Sequence, residues 1–208
     1  YMMRKAQRQV VVTALQSSIT ASSEIRNETN RFNLVSCPGY AELLDEMITL
    51  STDRKNTAFV VGDAPLRLAA DSTSTAAWAN NTAVADVNGE DGLVSSSPYA
   101  AVYYPHGLAT NLDGTNVMVP ASYMALRTIA FNDQVAFPWF APAGFQRGLV
   151  SNASGTGYLN ATSNEFEAVA LSEGQRDSLY TNKINPIGNF PGRGIAVFGQ
   201  KTLNSVSS

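Results

Sequence analysis

Residues 32–65 read FNLVSCPGYAELLDEMITLSTDRKNTAFVVGDAP, and three local signals follow one another within that stretch. The short apolar run Phe32–Val35 ends at Cys37-Pro38-Gly39, which predicts a strand and a turn. Tyr40–Leu50 then carries Leu43, Leu44, Met47, Ile48 and Leu50 at helical spacing. Thr57–Val61 is a second strand, closed by the breakers Gly62-Asp63-Ala64-Pro65. Strand, helix, strand is the unit from which parallel sheets are assembled. The flanks extend the pattern. Residues 2–21 place Val11, Ala14, Leu15 and Ile19 at helical intervals, with Arg4, Lys5 and Arg8 near the start. Cations at a helix N-terminus are unfavourable, so an acidic group is expected beside them. An Ala-rich stretch predicts a helix around Ser74–Asn80, and Tyr99–Tyr104 is a third strand ending at Pro105-His106-Gly107. Pro120–Ala130 reads as a helix with Pro120 near its first turn, and Ser172–Leu179 as a short helix with Ser172 as N-cap. The expected fold is α/β: a layered domain with a mostly parallel or mixed sheet flanked by helices.

The remaining segments read as connections. Asn88-Gly89-Glu90-Asp91-Gly92 and Asn111–Asn116 are loop signals. Phe137–Gly148 is an aromatic Gly/Pro loop, expected to fold onto the core. Gly155–Asn164 is polar and expected to be mobile. Ile184–Leu203, INPIGNFPGRGIAVFGQKTL, contains no acid and is dense in Gly and Pro. It is expected to turn tightly and irregularly before a short strand, Ile195–Phe198. Such a segment specifies backbone shape and offers no nucleophile, carboxylate or imidazole.

Composition narrows the function classes. Charged residues make up 15% of the 208, against about 25% in an average domain. Much of the surface is therefore neutral and less protected from self-association. The net charge of −3 gives no general nucleic-acid footprint. Its distribution is uneven. Leu68–Leu126 holds Asp71, Asp86, Glu90, Asp91 and Asp113 and no Lys or Arg, whereas Ser178–Ser208 holds Lys183, Arg193 and Lys201 and no acid. Opposite-sign segments can meet within one chain or between copies arranged head to tail. On charge placement alone, the candidate interface residues are Asp86, Glu90 and Asp91 against Arg193 and Lys201. One cysteine, Cys37, allows no intrachain disulfide. No apolar run is long enough to span a membrane.

The sharpest chemical grouping is Cys37, His106 and Asp63, each of which follows a predicted strand. Ligand sites in open α/β sheets lie at the carboxyl ends of strands. Together the three residues could form a cysteine hydrolase site with Cys37 as nucleophile. Each also has a plainer role: Cys is commonly buried, Asp63 suits a cap, and His106 lies in a predicted turn. No phosphate loop or GxGxxG fingerprint is present, and the lone His and scattered acids have no metal-ligand spacing, so no cofactor is expected. The aromatic loop holding Phe137, Trp139, Phe140 and Phe145 has only Arg147 to meet phosphate, a poor nucleic-acid surface.

Six segments, in order along nearly the whole chain, resemble the contractile tail sheath family of phages. They are Phe32–Tyr40; Asp53–Phe59 with Asp63-Ala64-Pro65; Tyr99–Pro105; Val119–Ser122; Pro138–Gly144; and Asn185–Ile187 through Phe190–Gly194. The resemblance implies a structural subunit without enzymatic activity or cofactor. It implies self-association into stacked hexameric rings around a tail tube, joined to a baseplate and contracting to drive the tube through the host envelope. Its setting would be the virion, with assembly in the host cytoplasm; neither nucleic acid nor membrane insertion is implied. By the same resemblance the chain divides into 1–31, an N-terminal helix and linker; 32–182, the core sheath domain; and 183–208, a Gly/Pro-rich segment leading to a further domain. It reads as a middle fragment, expected to be monomeric by itself.

Overall fold

The structure is a computed structural model that describes residues 2–82, 92–137 and 140–204. Its centre is a six-stranded sheet in the order β1 (Leu34–Val35), β2 (Phe59–Asp63), β3 (Ala100–Tyr104), β9 (Ile184–Phe190), β10 (Gly194–Val197) and β6 (Leu149–Val150). The first four strands run parallel, while β10 pairs antiparallel with both β9 and β6. The sheet is thus mixed and flanked by helices, as the sequence predicts. The parallel half comes from the strand–helix–strand signals, and the antiparallel half from the Gly/Pro-rich tail.

Alternation along β2 and β3 divides the core into two layers. Val60, Ala100, Val102 and Tyr104 point to one side, where they pack with Leu43, Leu44, Met47, Trp78, Leu179 and Ile184. The helices there are α1 (Met2–Ala21), α2 (Leu44–Asp53), α3 (Ser72–Ala79) and α6 (Glu173–Thr181). Val61, Ala101 and Tyr103 point to the other side and pack with Ile187, Ile195 and Val197 under Ala121, Met124 and Ala125 of α4 (Ala121–Val135). Burial on both faces is the environment that all-apolar strands such as AAVYY require.

Local chemistry explains the helix ends. Ser172 caps α6 in a full capping box with Gln175, and Asp71 caps α3 by accepting from the Ser74 N–H. α2 is entered through a 3-10 turn at Ala41–Leu43, so it starts later than the apolar spacing suggests. α1 finds the acid its cations call for: Arg8 pairs with Glu42 at 2.7 Å and stacks over Tyr40.

Three expectations are corrected. Ile184–Phe190 is not an irregular turn but an interior strand. Pro186 is tolerated because it pairs with Tyr104, the last residue of β3, where the ladder ends. Gly188 leaves the space that the Phe190 ring fills, since a Cβ there would come within 2.5 Å of that ring. Gly155–Asn164 is not simply a mobile loop, because Gly155–Leu159 forms β7. That strand belongs to a second, antiparallel sheet in the order β5 (Asn116–Val119), β4 (His106–Thr110), β7 and β8 (Phe166–Ala168). A Cβ at Gly157 would lie 2.0 Å from the Glu167 carbonyl oxygen, so the glycine is what lets β8 close on β7. Lastly, His106 is not in a turn: it opens β4 directly after the cis Tyr104–Pro105 peptide. The aromatic loop does fold onto the body of the protein, partly through a short helix, α5 (Gly144–Arg147). The loop signal at Asn88–Asp91 lies outside the described residues.

Candidate functional site

Cys37, Asp63 and His106 do converge at the carboxyl edge of the parallel strands. Asp63 is the last residue of β2, His106 follows β3 after Pro105, and Cys37 lies in the turn after β1. Their hydrogen bonds, however, run elsewhere. The N-cap of α4 is Pro120, which has no side-chain acceptor for the first helical N–H groups. Distant residues replace it. His106 Nδ1 accepts from the Ala121 N–H at 3.1 Å, and Asp63 Oδ1 accepts from the Ser122 N–H at 2.5 Å. Asp63 Oδ2 accepts from the Ser122 hydroxyl at 2.8 Å and from the Gly39 N–H at 2.9 Å. Gly39 has φ +85°, a conformation that favours glycine, and it presents its N–H to the carboxylate.

This arrangement fixes the state of each group. An N–H points at His106 Nδ1, so the proton resides on Nε2, which donates to the Pro65 carbonyl at 3.1 Å. Both ring nitrogens are committed to backbone, and the ring is fully buried. Burial pulls its pKa below the ordinary range, against the opposing attraction of Asp63. Burial also pushes the Asp63 carboxyl up, opposed by His106 and by the Gly39 and Ser122 hydrogen bonds. Burial raises the Cys37 thiol as well, and the nearby Asp63 and Glu46 charges add to the shift. A nucleophilic thiol needs a lowered pKa and a free base. Here the thiol is raised and the imidazole is occupied, so the hydrolase reading has no support. The corner is a fastener that ties β2, the β1–α2 turn and β4 to the start of α4. Ser122 is the member that sequence reasoning missed. The available signal was Pro120, because a helix beginning at proline must find its capping acceptors elsewhere.

The basic interface candidates occupy a different surface. Phe145, Phe190 and Phe198 form a cluster with ring centroids 4.8 to 5.1 Å apart. Arg193, in the β9–β10 turn, lies 4.4 Å over the Phe145 ring, and Arg176 of α6 lies 5.0 Å over Phe190. Lys201 Nζ lies 4.0 Å over Tyr180, and its backbone is clipped in both directions by the buried Asn185 side chain. The ion pairs Arg8–Glu42, Arg26–Asp53 and Lys55–Glu28 all lie in the first 55 residues. Among the described residues, Arg193 and Lys201 meet aromatic rings and no carboxylate. Of the acids in the opposite-sign segment, Asp71 is used as a cap and Asp113 sits in the β4–β5 turn. Asp86, Glu90 and Asp91 lie outside the described residues. Among the described residues no cluster of His, Cys, Asp or Glu is placed to hold a metal, and no helix is long and apolar enough to cross a membrane.

Comparison with known proteins gives these surfaces a context. The chain is 34% identical over 93 residues to the tail sheath protein of Vibrio phage KVP40, a match covering 45% of this chain and 12% of that protein. It is 32% identical over 114 residues to the tail sheath protein of Enterobacteria phage T4, covering 54% of this chain and 16% of that one. Over about half its length, then, the chain is similar to phage tail sheath proteins. No family model matches it. Its fold is that of contractile sheath subunits. A PVC sheath complex of an extracellular contractile injection system, in the contracted state, superposes with a TM-score of 0.59 at 21% identity, over 94% of this chain and 45% of that chain. The contracted helical sheath of the anti-feeding prophage gives 0.57 at 18% identity, over 94% and 44%. A chain of the anti-feeding prophage baseplate gives 0.55 at 20% identity, over 91% and 43%. The chain therefore spans under half of the solved chains it matches, and its matches cover a small share of the curated phage proteins.

Proposed function

We propose that the chain is part of a structural subunit of a phage contractile tail sheath, a virion component that polymerises around the tail tube and contracts to drive it through the host envelope. The observation that carries this reading is the sequence similarity to two phage tail sheath proteins over about half of a chain whose fold matches a solved sheath subunit over 94% of its length. The role asks for no catalytic residue, and we take the protein to be a non-enzyme. Self-association into rings, contact with the tube and attachment to a baseplate are the partnerships the role entails.

The physical design suits a lattice that changes state. Helices on both faces of a mixed sheet make a rigid body, and the Asp63–Ser122–His106 fastener holds one of those layers to the sheet. Rigid bodies that repack their mutual contacts convert a small gain per subunit into a large one over many copies. We assign Arg193 and Lys201 on the basic side, and Asp86, Glu90 and Asp91 on the acidic side, to contacts of this kind between copies.

Negative-stain electron microscopy of the full-length protein tests the reading. Hollow striated cylinders are the expected result. Small uniform particles at every salt and protein concentration would overturn it.

A further inference from the structure

Two rigid features of opposite character have no partner among the described residues. The first is the tip of the β4–β5 hairpin, Asn111–Thr115. Leu112 there is 105% exposed, the most exposed of the large apolar side chains among the described residues. Its turn is tied by the Asn111 N–H donating to Thr115 O at 2.7 Å, the Gly114 N–H to Asn111 O at 3.0 Å, and the Leu112 N–H to Asn111 Oδ1 at 2.9 Å. Asp113 Oδ1 accepts from the Thr115 N–H at 2.9 Å and its hydroxyl at 2.6 Å. Those bonds hold the Asp113 carboxyl below its ordinary range, so it is a fixed negative charge at neutral pH, with Oδ2 still open to a donor.

The second feature is the half-exposed cluster of Phe145, Phe190 and Phe198 with Arg193 and Arg176 laid over its rings. It offers apolar area beside guanidinium charge that no carboxylate of the described residues neutralises. A planar guanidinium is suited to receive a carboxylate through two parallel hydrogen bonds. Both features are ordered in advance, which lowers the entropy cost of bringing them together.

We propose that the hairpin tip of one copy docks on the aromatic–arginine surface of the next, with Asp113 pairing to Arg193 and Leu112 covering the phenyl rings. The inference rests on the sheath reading for its occupant, a second copy of this chain. Complementary charge selects the tip, since it joins an exposed leucine to an adjacent unneutralised carboxylate. The two patches differ, so the contact is heterologous and repeats from copy to copy instead of closing a pair.

Charge reversal with rescue is the test, made in the full-length protein and read by sedimentation and electron microscopy of cylinders. Arg193→Glu and Asp113→Lys should each lower the sedimentable fraction by about tenfold, equivalent to about 1.4 kcal/mol, with unchanged thermal melting. The double variant Arg193→Glu/Asp113→Lys should recover it. In a Cys37→Ser background, Asp113→Cys/Arg193→Cys should yield a ladder of covalent multimers with a short bis-maleimide. Normal assembly by both single variants, failure of the double variant to recover, or absence of the ladder would overturn the docking contact and leave the sheath reading standing. Absence of cylinders from the unaltered protein would overturn the sheath reading and remove the contact's occupant. Retention of a single-stranded oligonucleotide through Arg193, with assembly indifferent to Asp113, would assign the surface to nucleic acid and overturn the proposal.

Discussion

At the carboxyl edge of the sheet, Asp63 and His106 are buried, and both carboxylate oxygens and both ring nitrogens bond to groups that fix the chain. At the β9–β10 end, Arg193 and Lys201 lie over aromatic rings and meet no carboxylate among the described residues. The first region holds the residue types of an active site and the second those of a plain surface, yet their availability is reversed. A side chain with every polar atom satisfied inside is a structural element, whatever its chemical repertoire. A cation held in place by a ring and left unpaired is what a second molecule can use. The proposed role in a sheath would call for such a division, with a firm body inside and unsatisfied charge at the surface.

The comparison breaks most readily at Asp63. Asp63→Ala would leave the buried Ser122 N–H and hydroxyl, and the half-buried Gly39 N–H, without an acceptor. We expect a loss of about 3–5 kcal/mol in urea unfolding, and a loss under 1 kcal/mol would show that the corner is not a fastener.

The next effect is on pH dependence. His106 is the only histidine, and the Asp63 carboxyl faces it, so a variant at His106 is needed to separate the two contributions. Its folded pKa is depressed, so its contribution is present above the ordinary value of 6.5 and is lost as pH falls from there through the folded pKa. Stability should fall by up to about 1.4 kcal/mol per pH unit below that point. Asp63 has the opposite sign: its folded pKa is raised, so its contribution is complete below 3.8 and is lost as pH rises through the folded pKa. His106→Gln should be less stable at pH 7.5 and flatter in the window below 6.5. An unchanged slope in that variant would assign the dependence to other groups.

A smaller effect separates Cys37 from a catalytic thiol. With burial and two carboxylates raising its pKa, labelling by a disulfide reagent at pH 7.5 should be slower than that of free cysteine. Faster labelling would mean an activated thiolate and would reopen the chemistry of the corner. The smallest effect belongs to the outer surface. Arg193→Ala should change the stability of the folded chain by about 0.5–1 kcal/mol, the contribution of an exposed cation–ring contact. A larger loss would mean that Arg193 holds the fold together and is not free for a partner.

Much of the fold was legible in local patterns. Apolar runs bounded by breakers located β2 and β3, spacing located α1 and α4, and Ser172 announced the start of α6. The Gly/Pro-rich β9 was misread because its glycines and proline suggest turns. They serve instead as a close approach at Gly188 and a ladder end at Pro186. The second sheet was missed because its strands are only three to five residues long, and only pairing across the chain makes them strands. The convergence of Cys37, Asp63 and His106 was readable from strand ends alone. Its meaning was not, because a histidine's role depends on what faces each ring nitrogen.

By itself, then, the sequence determined which segments alternate between helix and strand, the segregation of acid from base along the chain, and the family resemblance. These are properties of neighbouring residues, fixed by periodicity, charge and local backbone preference. Tertiary structure decided that β10 runs antiparallel to the strands on either side of it, that Pro120 borrows its caps from Asp63 and His106, and that Arg193 and Lys201 rest on rings. Each of those outcomes depends on residues many positions apart meeting where water is excluded, and no local pattern records such a meeting.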